Sequence, residues 1–156
     1  MTTLEAKDTL REKHLEMIES VDARMAGNSF EVRKWSVGLV TAVLGFSVDK
    51  SDWRLALLAS AAAVVFWYLD SFYLYQERRF RVLFERVRHA TVLQLEAHPY
   101  FLNPEYQAGA IAFPPSHGAS IPSKESVFRV AFRDGLIQLH MLAIVLPLFV
   151  AHYLHK

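Results

Sequence analysis

The chain has 156 residues, enough for one domain, with 53 % hydrophobic and 21 % charged residues and a formal net charge of +1. It has no cysteine, which excludes a disulfide framework and any Cys-ligated metal site. The near-neutral charge gives no global case for a nucleic-acid partner. Apolar and charged residues are segregated into long runs, the pattern of a small membrane protein with cytoplasmic parts.

Residues 1–34 read as a cytoplasmic amphipathic helix. Leu4, Leu10, Leu15, Ile18, Val21 and Met25 recur every three to six positions, among solvated charges such as Glu5, Lys7 and Arg11. No proline separates this stretch from the apolar run that follows, although Gly27-Asn28-Ser29 is a site where it can soften. The first membrane span is expected at 35–48, which is short against the roughly 20 residues a spanning helix needs. Extension back to Phe30 lengthens it if Arg33 and Lys34 reach the interface and Trp35 anchors there. Asp49-Lys50-Ser51-Asp52 is a polar turn.

The second span is expected at 53–75. Gly38 and Ala42 on the first span, and Ala56 and Ser60 on the second, are each spaced four apart. That spacing predicts a helical hairpin packed small face to small face, the alternative being small residues merely tolerated in lipid. Residues 76–97 continue as a basic amphipathic helix carrying Phe80, Leu83, Phe84 and Val87. Residues 98–124 hold five of the six prolines and are expected to form a loop. Ser123 is expected to N-cap a last helix, with Glu125 in its first turn. The uncharged run 135–154 is a third span containing His140, Pro147 and His152.

Lysine and arginine number six up to Lys34, two around the turn, eight between Gln76 and Arg133, and one at the C-terminus. The positive-inside rule places the N-terminus and the middle region in the cytoplasm and the turn and C-terminus outside. The fold class expected is therefore all-α: a helical hairpin in the membrane with a long N-terminal helix, a cytoplasmic extension and a third membrane helix.

Asp70, Glu77, Arg81 and Arg88 fall within about 20° of one line on a helix. They form either a charged stripe facing a subunit interface or a water-filled lumen, or a snorkelling Asp beside ordinary salt bridges. Arg24, Asn28, Glu31 and Trp35 make a second stripe that could meet the first, for example through Arg24 with Glu77 or Glu31 with Arg81. A solvated face is the alternative reading. His140, inside a span, is a pH-sensitive or pore-facing group, or a helix–helix hydrogen bond. No HExxH pattern, phosphate loop or nucleophile elbow occurs, and no metal, cofactor or catalytic residue is expected. Arg133 and His140 resemble only weakly the Arg-spacer-His pairs of certain ribonucleases. The basic helix from Arg78 to Arg88 is expected to touch anionic lipid rather than nucleic acid.

RMAGNSFEVRKW (Arg24–Trp35) leading into one span, and FWYLDSFYLYQERRFRVLFERVR (Phe66–Arg88) ending the next, resemble small bacterial multi-helix membrane effectors of antiphage systems. Such systems include cyclic-nucleotide, retron and CRISPR-linked defences. The resemblance covers about residues 20 to 90 and carries no catalytic motif. It implies an oligomeric inner-membrane protein, not an enzyme, that permeabilises or depolarises the membrane once infection is sensed. With no sensor domain expected on the chain, the trigger is expected from a cytoplasmic sensor protein. The competing expectation is a membrane anchor or accessory subunit that recruits a cytoplasmic partner.

Overall fold

The computed structural model describes residues 3–90, 100–103, 127, 131–132 and 137–155. Among them the secondary structure is entirely helical: α1 (Thr3–Lys50), α2 (Trp53–His89) and α3 (Ile137–His155). α1 runs for 48 residues without a break at Gly27-Asn28-Ser29. α2 ends at His89, and residues 91–97 of the continuation expected to residue 97 lie outside the described set. The same holds for most of the expected 98–124 loop and for the Ser123 cap.

The connection between α1 and α2 is fixed by its own hydrogen bonds. Asp52 N donates to Ser47 O at 3.0 Å and Ser51 N to Val48 O at 3.2 Å, the paired bonds of a Schellman ending. Ser51 takes the left-handed conformation that this ending requires (φ 51°). The Ser47 hydroxyl donates to Asp52 O at 2.8 Å. Asp52 Oδ1 then accepts from Arg54 N at 2.9 Å, capping the first turn of α2. Asp52→Ala removes that cap and is expected to cost about 1 kcal/mol, read as a lower midpoint of thermal unfolding in detergent.

The chain divides into two compact units: Met1–Ala26 with Gln76–Lys124, and Gly27–Tyr75 with Glu125–Lys156. In the first unit the apolar positions of α1 meet those of α2. Ile18 is fully buried with Leu83, Val87 and Ala90, and Leu10, Leu15, Phe80 and Phe84 pack around them. Arg11 donates to the carbonyl of Ala90 at 3.0 Å, just past the end of α2, and buried His14 holds Phe101 O at 2.7 Å. Burial draws the Arg86 guanidinium below the usual arginine range.

The second unit is packed the other way round from a water-soluble core. Its interior holds small and polar side chains: Ser29, Ser36, Ser47, Ala56, Ala59, Ser60, Ala63, Asp70 and His140 are all buried. Its large apolar side chains point outward. Phe30, Trp35, Phe46, Leu58, Val65, Leu142, Phe149 and Tyr153 are each more than half exposed. A water-soluble monomer rarely exposes so extensive an apolar surface. Two helices, α2 and α3, are long and apolar enough to cross a membrane.

The small-residue packing is half as expected. Ala56 and Ser60 are buried, joined by Ala59 and Ala63, which pack against Val40, Val43, Ala143 and Ile144. On α1, however, Gly38 and Ala42 are exposed, and nothing lies within 4 Å of where a Cβ on Gly38 would sit. The buried stripe there is Ser29, Ser36, Val40 and Ser47. Gly38 and Ala42 each follow a member of that stripe by two residues, roughly 200° around the helix, and so face away. Ser60 Oγ donates to Ile144 O at 3.1 Å on α3. That carbonyl is next to the Ala143 carbonyl, which Pro147 deprives of its helical partner.

Candidate functional site

Asp70 lies on α2 about 26 Å along the axis from Trp53 and is 1 % exposed. A carboxylate so buried needs partners for both oxygens, and all three helices supply them. From α1, the Ser29 hydroxyl donates to Oδ1 and Arg33 Nε donates to Oδ2 at 2.9 Å. From α3, His140 Nε2 lies 2.9 Å from Oδ2. An ionised carboxylate only accepts, so this ring nitrogen carries the hydrogen. Arg33 also donates to Ser29 Oγ at 2.6 Å, closing a ring of Asp70, Ser29 and Arg33. Ser29 and His140 are buried, and the Arg33 side chain retains 23 % exposure.

This cluster sits at one end of the second unit. At the other end Trp53 and His155 meet edge to face at 5.1 Å. The separation, about 26 Å, is close to the hydrocarbon thickness of a bilayer, about 30 Å. Between the two ends the buried polar side chains among the described residues are Ser36, Ser47 and Ser60.

The geometry is not that of a nucleophilic triad. There the base holds the nucleophile and the carboxylate holds the base. Here the carboxylate is central, and Ser29 Oγ is held by Asp70 and Arg33 rather than by His140. The cluster joins side chains of all three helices through one carboxylate. Arg133, the other half of the ribonuclease-like pair, lies outside the described residues. No group of three metal-ligating side chains converges among those described.

The expected stripe on α2 is divided between the two units. Asp70 belongs to the second, while Glu77, Arg81 and Arg88 belong to the first. Buried Glu77 pairs with exposed Arg81 one turn on, and Arg88 pairs with Glu85 at 3.4 Å. The partner that α1 offers Arg81 is Asp22, at 3.6 Å, and not Glu31. Asp22 and Arg81 are equally far from the Ser51–Asp52 turn, whereas Glu31 is nine residues nearer to it, about 13 Å along a helix. Glu31 pairs instead with Lys34. Arg24 is exposed, two residues and roughly 200° from Asp22, and makes no ion pair with Glu77. Asn28 and Trp35 line a groove on the second unit together with Glu31.

Ser29 and Arg33 are the members of the cluster that the sequence pattern did not single out. A signal for Arg33 was present: it precedes the turn by as many residues as Asp70 follows it. Comparison with known proteins finds no match: no family model fits the chain, and no curated protein or solved structure is similar to it.

Proposed function

We propose that this chain is a multi-pass helical protein of the bacterial inner membrane, with its N-terminus in the cytoplasm, that acts on the bilayer itself. As an oligomer it permeabilises or depolarises the membrane in an antiviral abortive-infection response. The observation that carries the membrane part is the inverted packing of the second unit, with small and polar groups inside and large apolar groups outside. The Asp70–Arg33 pair supports a first span as well. With Arg33 neutralised inside, α1 offers Phe30 to Val48 to the membrane, about 28 Å of helix, in place of the shorter run from Trp35. Glu31 and Lys34, paired and exposed, then lie at the interface. The action on the bilayer rests on the likeness of Arg24–Trp35 and Phe66–Arg88 to antiphage effectors, and on a charged cluster that joins all three membrane helices.

A second reading, an anchor that recruits a cytoplasmic partner, is favoured by a groove of about 260 Å³ on the first unit. Ile18, Phe80 and Phe84 form its floor, and Glu19, Asp22, Arg81 and Glu85 its charged rim. Membrane potential in bacteria expressing the chain with its genomic neighbours, during phage infection, separates the two. Depolarisation that is lost in Asp70→Asn and Arg81→Ala supports the effector. An unchanged potential, with partner recruitment lost on deletion of residues 1–21, supports the anchor.

A further inference from the structure

On the second unit α1 and α2 enclose a groove of about 330 Å³ lined by Asn28, Glu31, Val32, Trp35, Leu39, Phe66 and Tyr73. Its polarity is graded along its length. By position along the helices, Asn28, Glu31 and Tyr73 stand at the end near the Asp70 cluster, and Trp35 lies below them. Leu39 and Phe66 form the far end. From Asn28 to Leu39 the helix rises about 16 Å, half the hydrocarbon thickness of a bilayer, about 30 Å.

We infer that this groove binds a single phospholipid with a primary-ammonium headgroup, an inference that rests on the membrane reading above. A lipid standing in the cytoplasmic leaflet has the same order of chemistry along the same length: charged head, interfacial glycerol, apolar chain. Glu31 supplies the carboxylate for the ammonium, and Trp35 and Tyr73, which line the same groove, supply aromatic surface for a cation. Lys34, which pairs with Glu31 and lies 5.2 Å from the Phe30 ring centre, is placed to take the headgroup phosphate. The Glu31–Lys34 pair thus matches a zwitterion with both charges. Val32, Leu39 and Phe66 receive one acyl chain. Glu31 is 55 % exposed as a side chain, so it is free to exchange its intramolecular partner for the lipid.

The test uses the full chain, purified in detergent and titrated with phosphatidylethanolamine, phosphatidylcholine and phosphatidylglycerol, with bound lipid counted by native mass spectrometry. The expected result is preferential retention of phosphatidylethanolamine, weakened about tenfold in Glu31→Gln, the order of one charge-assisted hydrogen bond. Trp35→Ala is expected to weaken it severalfold, and Trp35→Phe to weaken it less. Equal retention of the three lipids by the native chain, or unchanged selectivity in Glu31→Gln and Trp35→Ala, overturns the site. A shift of oligomeric state in those variants without any change in lipid selectivity also overturns it, and assigns the groove to a second copy of the chain. Alkaline carbonate extraction keeps the two readings apart. A chain released from membranes overturns the membrane reading together with the lipid site, whereas a retained chain indifferent to headgroup overturns the lipid site alone.

Discussion

Asp70→Ala is expected to destabilise the three-helix unit by about 3–5 kcal/mol, the cost of removing one member of a buried ion pair. The substitution leaves Arg33 and His140 without the carboxylate oxygen to which both are bonded. The loss does not measure the worth of the pair, because most of it is the stranded charge of Arg33. A second variant separates the two contributions. Arg33→Leu with Asp70→Leu and His140→Leu removes the whole polar set, and is expected to recover most of the stability lost by Asp70→Ala alone. Thermal unfolding in detergent reads both. If the single variant unfolds with the native protein, the cluster does not hold the helices together. If the apolar variant is stable but inactive in the depolarisation assay, the cluster is needed for action rather than for assembly.

How far this site could be read from sequence depends on which physical signal each member carried. Asp70 stood out because an acid within a run of apolar residues has an obvious cost, and His140 for the same reason. Arg33 was hidden by its neighbours. Beside Lys34 and Trp35 it fits the pattern of a side chain reaching to the interface, and nothing local distinguishes that from a charge turned inward. Ser29 carried no signal at all, since a serine after Gly27 and Asn28 reads as a soft point in a helix. The information that joins them is non-local: Arg33 and Asp70 are equally far from a turn whose own residues specify it. Counting outward from Ser51 and Asp52 places Asp22 beside Arg81 and Val40 beside Ala63 as well. The helical class and the turn are legible from composition and periodicity. The facing stripe of α1 is not, because the expected marks of contact are glycine and alanine, and there Ser29, Ser36 and Ser47 perform that role. In an apolar surrounding a serine is nearly as small, and its hydroxyl can bond within the structure.

Ala59→Leu is expected to force α1 and α2 apart, at a cost of about 1–3 kcal/mol, while Ala61→Leu, two residues away, has little effect. Ala59 and Ala63 are fully buried against Val40, with Ala143 and Ile144 of α3 closing the same contact. Ala61 is exposed. Both substitutions add the same atoms, so hydrophobicity and helix propensity are matched and only the site differs. In water the larger side chain would recover part of its cost by burial. In lipid it recovers little, because the surroundings of an exposed leucine are already apolar. The absence of cysteine makes the contact directly measurable. Val40→Cys with Ala63→Cys should form a disulfide under added oxidant, with no competing thiol in the chain. In the Ala59→Leu background that crosslink should form more slowly, and in the Ala61→Leu background at the original rate. Equal rates in both would mean that the alanines are spectators of the packing. The approach of the two helices would then depend on the serine stripe and the Asp70–Arg33 pair alone.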